Sequence, residues 1–195
     1  MDATTAETRL LDTAAALFNE RGVQAVGMDT IRTASGVSLK RLYQLFPSKE
    51  DLVEAVLRRR SRDLLDEIPR YADARGETPQ ERILAVFDYL HEWFGSPAFR
   101  GCNFINSFGE LGGVSEGVAE VARTHKKAFA AHFAELAAAA GAPPALAPQL
   151  AVLANGAMAS AGISGSREPA RHAQEAARVL LAHYTLDCPP SSASA

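Results

Sequence analysis

Apolar residues recur at helical spacing along most of the chain, and no segment alternates with the period of two that a half-buried strand shows. The first predicted helix begins near Thr4, where a Thr-Thr-Ala-Glu run fits a capping box, and it ends at Gly22. The buried stripe of this helix is Leu10, Leu11, Ala14, Leu17 and Phe18. The pattern predicts an all-α protein.

Two short helices and a longer one follow the first. The second helix is predicted over residues 28–35 and the third over residues 39–46. Between them, Gly36 suits the left-handed conformation that ends a helix, and Ser38 suits the N-cap of the next one. Ser48 is expected to cap a fourth helix, whose inner face is Leu52, Val53, Val56 and Leu57.

Beyond Arg62 the chain predicts longer amphipathic helices, at residues 63–71, 78–94, 114–140, 145–162 and 168–183. Clusters of Gly, Pro and Ser separate most of these segments, at positions where loops are expected. The C-terminal half is also rich in alanine, which has the highest helix propensity.

Composition indicates a globular protein, with 47% hydrophobic and 22% charged residues. No continuous apolar run reaches the roughly 18 residues of a membrane span, and the first ten residues lack the features of a secretion signal. We therefore expect a cytoplasmic protein with no membrane partner. Cys102 and Cys188 have no CxxC or metal-ligand spacing, so no disulfide framework, metal or cofactor is predicted.

Positive charge is concentrated near the N-terminus, although the whole chain has a net charge of -3. Residues 21–62 contain 9 basic and 4 acidic side chains, a balance of +5. Residues 63–195 contain 10 basic and 15 acidic side chains, a balance of -5. A basic end on an acidic body is typical of a protein with one DNA-facing side, although ordinary variation in surface charge gives the same arithmetic.

Two short helices joined by a turn with glycine form a helix-turn-helix, a motif that inserts its second helix into the major groove of DNA. The residues spaced to pack the two helices together are Ile31, Val37, Leu42 and Leu45. The remaining side chains of the second helix, and a lysine that follows it, then become the candidate DNA contacts. They are Ser38, Leu39, Lys40, Arg41, Tyr43, Gln44 and Lys49.

The run GMDTIRTASGVSLKRLYQLFPSKEDL resembles the DNA-binding signature of the TetR family of transcriptional regulators, and the resemblance extends from about Thr8 to Leu57. It implies a helix-turn-helix DNA-binding domain over residues 1–57 and a helical effector-binding and dimerisation domain over residues 58–195. The family resemblance also implies a homodimeric repressor that leaves its operator when a small molecule binds. Arg32 departs from the pattern, because the family usually has a small alanine there.

Half of the aromatic residues, seven of fourteen, lie between Phe87 and Phe108. The segment Gly101-Cys102-Asn103-Phe104-Ile105-Asn106 through Glu110 resembles a stretch that lines the effector cavity in one branch of TetR-like regulators. We therefore predict a pocket for a small, mostly apolar ligand, with plain core packing as the alternative for each residue. The candidate lining is Phe87, Tyr89, His91, Trp93, Phe94, Cys102, Asn103, Phe104, Asn106 and Phe108, and His125 is a further polar candidate.

The last two helices have faces of small and apolar residues that allow close helix approach. The corresponding pair forms the dimer interface in the family. The predicted interface residues are Leu150, Leu153, Ala154, Ala157, Met158, Ala161, Ala173, Ala177 and Leu180. The alternative is that these faces form only the core of a single chain.

Three alternatives to a ligand-controlled repressor remain at this point. Cys102, at a predicted helix start, is a candidate redox or electrophile sensor. A regulator that activates, or that has no ligand, would keep the same DNA-binding end. An enzyme is the different class, but the five histidines form no HExxH and the chain has no GxSxG or Gly-rich phosphate loop. We therefore predict no catalytic residues.

Overall fold

The computed structural model of the protein describes residues 2–186, and these residues contain nine α-helices and no β-strand. The all-α prediction is confirmed. The helices are α1 (Ala3–Arg21), α2 (Met28–Ser35), α3 (Leu39–Leu45), α4 (Lys49–Arg75), α5 (Pro79–Phe94), α6 (Asn103–Leu111), α7 (Glu116–Ala139), α8 (Leu146–Ser164) and α9 (Glu168–Leu186). Cys188 lies outside the described residues.

Local capping explains where several helices begin and end. Asp2 caps α1 by accepting the Thr5 amide hydrogen at 2.9 Å, so this helix starts slightly before the capping box predicted at Thr4. Thr78 and Glu81 form a full capping box at the start of α5. The predicted stops at Gly22 and at Gly36 are confirmed.

Helix α4 corrects the predicted break after Arg62. It runs from Lys49 to Arg75 without interruption and contains Pro69. The sequence around Arg62 and Asp63 is polar, but neither residue ends a helix as a glycine does. The polar run therefore makes this part of the surface of α4 polar, and the backbone remains helical through it.

The chain divides into two compact units. The first contains the residues up to Leu64 together with Arg100–Lys126, and the second contains Leu65–Phe99 with the residues from Lys127 onward. Helix α6 therefore belongs to the same unit as α1, α2 and α3, although the sequence assigned it to an effector domain. The functional boundary at residue 57 stays a prediction.

Each unit has its own buried core. The largest fully buried side chains of the first unit are Leu10, Ile31, Leu42, Leu52 and Phe104. Those of the second unit are Ile83, Phe87, Leu90, Phe129, Phe133, Leu146 and Leu150. In the second unit α5, α8 and α9 pack on one another, and the buried Gln174 amide donates to the Leu84 carbonyl oxygen at 2.9 Å. Burial of these apolar side chains is the main favourable term in folding.

Helix α8 is the one described helix that is long and apolar enough, by length and composition, to cross a membrane, with a mean hydropathy of 1.3. Core helices of soluble proteins pass the same test. In the protein 44% of that segment is buried, and α8 packs against α5 and α9.

Candidate nucleic-acid interface

The turn between α2 and α3 is built from Gly36 and Ser38. Gly36 has a φ of 67° and a ψ of 16°, and its amide donates to the Arg32 carbonyl oxygen at 3.1 Å, which closes α2. The Ser38 hydroxyl oxygen accepts the Arg41 amide hydrogen at 3.3 Å, which opens α3. A side chain at position 36 would strain the left-handed backbone, so glycine is the suitable residue there.

One side of the helix pair is packed against the core of the first unit. Ile31 and Leu42 are fully buried, Val37 is 3% exposed and Phe46 is 6% exposed. Helices α1, α2 and α3 all pack on one another. Because α3 has a single buried residue, Leu42, the remaining sides of this short helix are turned outward.

Five of the seven predicted DNA contacts are exposed: Ser38, Leu39, Lys40, Tyr43 and Gln44. Leu39 and Tyr43 are each 47% exposed and lie one helical turn apart on the same side of α3. Arg41 is partly buried, and its guanidinium donates to the side-chain oxygen Oε1 of Gln44 at 3.4 Å. The structure therefore brings these side chains together on one exposed surface of α3.

The start of α4 carries a reciprocal cap between Ser48 and Asp51. The Asp51 amide donates to the Ser48 hydroxyl at 3.1 Å, and the Asp51 carboxylate accepts the Ser48 amide at 2.9 Å and its hydroxyl at 2.7 Å. This carboxylate therefore satisfies the Ser48 amide at the N-terminal end of α4. Lys49 is partly buried, and its ammonium donates to the Gln24 carbonyl oxygen at 3.4 Å.

A polar groove, which sequence reasoning missed, lies between α1 and α2. An open groove there is lined by Leu17, Arg21, Asp29, Thr30, Arg32, Thr33 and Ala34. Arg32 forms an ion pair with Asp29 at 3.0 Å. Thr30 and Thr33 are exposed at i,i+3 spacing, a signal that was readable on the polar face of the predicted second helix. The groove adds hydroxyl and guanidinium donors beside the helix-turn-helix.

The predicted effector residues separate into two groups. Phe87, Tyr89, His91, Trp93 and Phe94 lie on α5 in the second unit. Cys102, Asn103, Phe104, Asn106 and Phe108 lie at and along α6 in the first unit. The two groups belong to different compact units, so each is described by its own contacts.

The α5 group is mainly a packed aromatic cluster. Phe87 is fully buried with its ring centroid 6.0 Å from that of Phe133, and Trp93 meets Phe99 edge to face at 5.1 Å. The Tyr89 hydroxyl donates to the Glu67 carboxylate at 2.8 Å. Partial burial lowers the pKa of His91, and the nearby Arg171 guanidinium lowers it further.

The α6 group surrounds a buried histidine on α7. The ring of His125 stacks on Phe104 with 3.6 Å between ring centroids, and its Nδ1 lies 2.9 Å from the Ser61 hydroxyl oxygen on α4. Burial lowers the pKa of His125 to about 3, and the charges of Lys126 and Arg60 act in the same direction. This histidine is therefore neutral at pH 7 and joins three helices by packing and hydrogen bonding.

The other members of the α6 group differ in exposure. Cys102 is 3% exposed, and the Lys126 ammonium donates to its sulfur at 3.3 Å. The Asn106 side chain is exposed and donates to the Arg100 carbonyl oxygen at 3.0 Å. Phe108 is 46% exposed, so it is not part of a buried lining in the first unit.

Most of the predicted dimer-interface residues lie inside the single chain. Leu150, Ala154, Ala157, Met158, Ala161, Ala173 and Ala177 are each at most 6% exposed, while Leu153 and Leu180 are partly buried. The seven buried side chains form core contacts and have almost no free surface to offer a partner. The exposed apolar residues of the same helices are Val152, Ile163 and Val179, with exposures of 70%, 90% and 62%.

Comparison with known proteins agrees with the helix-turn-helix geometry. The family described as "Bacterial regulatory proteins, tetR family" matches residues 10–56. A putative TetR transcriptional regulator from Streptomyces avermitilis has 35% sequence identity and a TM-score of 0.82, over 92% of this chain and 98% of that one. A TetR-family regulator from Streptomyces coelicolor has 27% identity and a TM-score of 0.86, over 93% of this chain and 97% of that one.

Curated relatives match over shorter stretches. An uncharacterized HTH-type transcriptional regulator of Mycobacterium tuberculosis is 34% identical over 126 residues, which span 64% of this chain and 61% of the relative. The repressor KstR2 of Rhodococcus jostii is 47% identical over 26% of this chain and 25% of its own length. The activator FasR of Mycolicibacterium smegmatis is 36% identical over 42% of this chain and 39% of its own length. These relatives therefore include both a repressor and an activator of transcription.

Proposed function

Because this chain belongs to the TetR family of bacterial transcriptional regulators, we propose that it is a homodimeric repressor released from its operator by a small, mostly apolar ligand. Members of this family regulate transcription and are not enzymes. The observation that carries the DNA-binding part is the outward face of α3, where Lys40, Tyr43 and Gln44 are exposed while Leu42 is fully buried.

Each exposed group on α3 suits a different part of a DNA duplex. Lys40 and Arg41 donate hydrogen bonds to guanine edges or to phosphates, and Gln44 matches the donor and acceptor pair of adenine. The methyl groups of Leu39 suit the thymine methyl, and the Tyr43 hydroxyl suits a phosphate oxygen. The Arg41–Gln44 hydrogen bond is weak at 3.4 Å, so both side chains exchange it readily for base contacts.

We place the dimer interface on the exposed faces of α8 and α9 instead of on the buried residues named from the sequence. Val152, Gly156 and Ile163 recur at i, i+4 and i+11, which is one side of α8, and Val179 is exposed on α9. The small Gly156 permits close approach of a second helix. A two-fold dimer that reads a palindromic operator holds its two recognition helices about 34 Å apart, one turn of DNA.

The ligand-dependent part of the proposal rests on family membership and on the aromatic stretch from Phe87 to Phe108. Helix α4 supports a mechanical route, because it continues unbroken from Lys49 through the Arg58–Arg62 run to Arg75. A ligand that shifts α4 changes the spacing of the two recognition helices. Ligand and operator then weaken each other by the same factor.

Redox sensing through Cys102 is a second candidate, supported by the contact of its sulfur with the Lys126 ammonium at 3.3 Å. The 3% exposure of Cys102 opposes it, because oxidants need access. If DNA binding by Cys102→Ser responds to peroxide as the wild type does, this candidate is eliminated.

The decisive experiment measures binding of the purified protein to the promoter duplex beside its own gene, at two salt concentrations, with a scrambled duplex as control. We expect selective binding of a dimer to the promoter duplex, with specific affinity at least about 10³-fold above the scrambled duplex. Equal binding to both duplexes that falls equally with salt contradicts the proposal, because it reports only phosphate attraction. A regulator that binds selectively but raises transcription of the adjacent gene is an activator.

A further inference from the structure

The segment from Gly101 to Glu110 contacts the DNA-binding end of the first unit, although the sequence suggested that it lines an effector cavity. We infer that Glu110 is a positioning residue for the helix-turn-helix, and that its carboxylate holds the loop leading into α2 in the conformation that binds operator. This inference rests on the proposed function. It assigns to α6 a role in operator affinity that requires no contact with DNA.

The contact is a clamp on backbone amides. The Val23 amide donates to one carboxylate oxygen of Glu110 at 3.0 Å, and the Gln24 amide donates to the other at 2.7 Å. The Gln24 side-chain amide donates to the backbone carbonyl oxygen of Glu110 at 2.7 Å. Three hydrogen bonds thus join α6 to two consecutive residues of the α1–α2 loop, and two of them are charge-assisted.

The loop is shaped to receive the carboxylate. Gly22 has a φ of 82°, and a Cβ atom at this position would lie 3.2 Å from a Glu110 carboxylate oxygen. The absence of a side chain at Gly22 therefore permits both the turn and the close approach. Val23 and Val26 are 3% and 1% exposed, so they anchor the two sides of the loop in the core.

Helix α6 is itself held in place at its other end. The Asn103 side chain donates to the Asn19 side-chain oxygen at 3.4 Å, and Phe104 stacks on His125. His125 in turn meets Ser61 of α4. The clamp at Glu110 is therefore the last link of a chain of contacts that runs from α4 through α7 and α6 to the α1–α2 loop.

A second contact acts on the same loop from α4. The Lys49 ammonium donates to the Gln24 carbonyl oxygen, so both the backbone N–H and the backbone C=O of Gln24 are hydrogen-bonded. The loop leads directly into α2, and α2 packs on α3. A loop fixed in advance spares the binding reaction the entropy of ordering it, which raises affinity for the operator.

Glu110→Gln tests the inference with almost no change in volume. A glutamine has one acceptor oxygen and places an NH₂ group against a backbone N–H, so one loop amide loses its partner. Glu116→Gln is the matched control, because Glu116 carries the same charge in the same unit, is 81% exposed and pairs with Arg123. Both variants remove one negative charge, so nonspecific attraction to DNA changes equally.

The first measurement is amide hydrogen exchange of the protein without DNA. We expect Glu110→Gln to speed exchange at Val23 and Gln24 by about 10-fold, a size set by losing one charge-assisted bond. Exchange in the interior of α1 and in the control is expected to stay unchanged. Wild-type exchange of these two amides at the rate of an open chain overturns the inference, and it does so even if the variant fails to fold.

The second measurement is operator affinity. We expect Glu110→Gln to bind the operator about 5- to 20-fold more weakly than the control does. Its affinity for scrambled DNA and its salt slope should equal those of the control, because no phosphate contact is lost. An operator affinity within twofold of the control, or a tighter one, overturns the inference. If the wild type selects no operator, the proposed function fails while the exchange measurement still tests the clamp.

Discussion

Helices α3 and α8 both expose apolar side chains, but the sequence identified the outward residues only for α3. Helix α3 has seven residues, and its single buried side chain, Leu42, lies among polar neighbours. Helix α8 has nineteen residues, none of them charged, and apolar or small side chains occur on all of its sides. The contrast shows that a hydrophobic pattern identifies an inner face only when the opposite face is polar.

The interface residues predicted on α8 and the residues that α8 exposes differ for this reason. Leu150, Ala154, Ala157 and Ala161 form one apolar row, and Val152 and Ile163 belong to another. The sequence pattern named residues of the first row as the predicted interface and none of the second. Packing against α5 and α9 buries the first row and leaves the second exposed.

The largest expected effect comes from charging the exposed row. We expect Val152→Asp with Val179→Asp to raise the dimer dissociation constant at least about 100-fold, because an interface that buries unpaired carboxylates loses several kcal/mol. Sedimentation equilibrium measures this change. The control is Ala131→Asp with Ala138→Asp, two exposed positions on α7. A double variant that dimerises as the control does would place the interface on another surface.

A different effect, on folding and not on association, is expected from the buried row. Leu150 is fully buried, so Leu150→Ala should lower the free energy of unfolding by about 2–5 kcal/mol through lost burial and a cavity. Denaturant unfolding at several protein concentrations measures it and separates folding from association. If Leu150→Ala instead weakens the dimer and leaves the stability of the single chain intact, the row that contains Leu150 forms the dimer interface and the row that contains Val152 does not.

The smallest effects concern α3. Arg41→Ala is expected to weaken operator binding by about 1–3 kcal/mol, the value of a good base contact, and Tyr43→Phe by about 0.5–1.5 kcal/mol, the value of one hydrogen bond. Gel-shift titration checks both, and thermal unfolding should stay within about 0.5 kcal/mol of wild type for such surface changes. Unchanged operator binding by both variants removes these side chains from the interface.

Local sequence was sufficient for the helix-turn-helix itself. Gly36 and Ser38 act through their own backbone and their nearest neighbours, so their roles follow from residue type and spacing. The predicted break near Arg62 was wrong. A polar run resembles a loop in sequence, but the helix continues through it when no residue such as glycine ends the helix. Arg21 was missed because the groove that it lines forms only when α1 and α2 pack together.

The sequence alone determined the helical class, the family, the turn at Gly36 and the residues that α3 exposes, because each depends on contacts within a few positions of the chain. The tertiary structure decided which row of α8 is buried, that burial lowers the pKa of His125, and which loop Glu110 contacts. The Glu110 carboxylate and the Val23 amide are 87 residues apart in sequence and 3.0 Å apart in space. Such contacts depend on how the helices pack, and periodicity carries no information about a partner so distant along the chain.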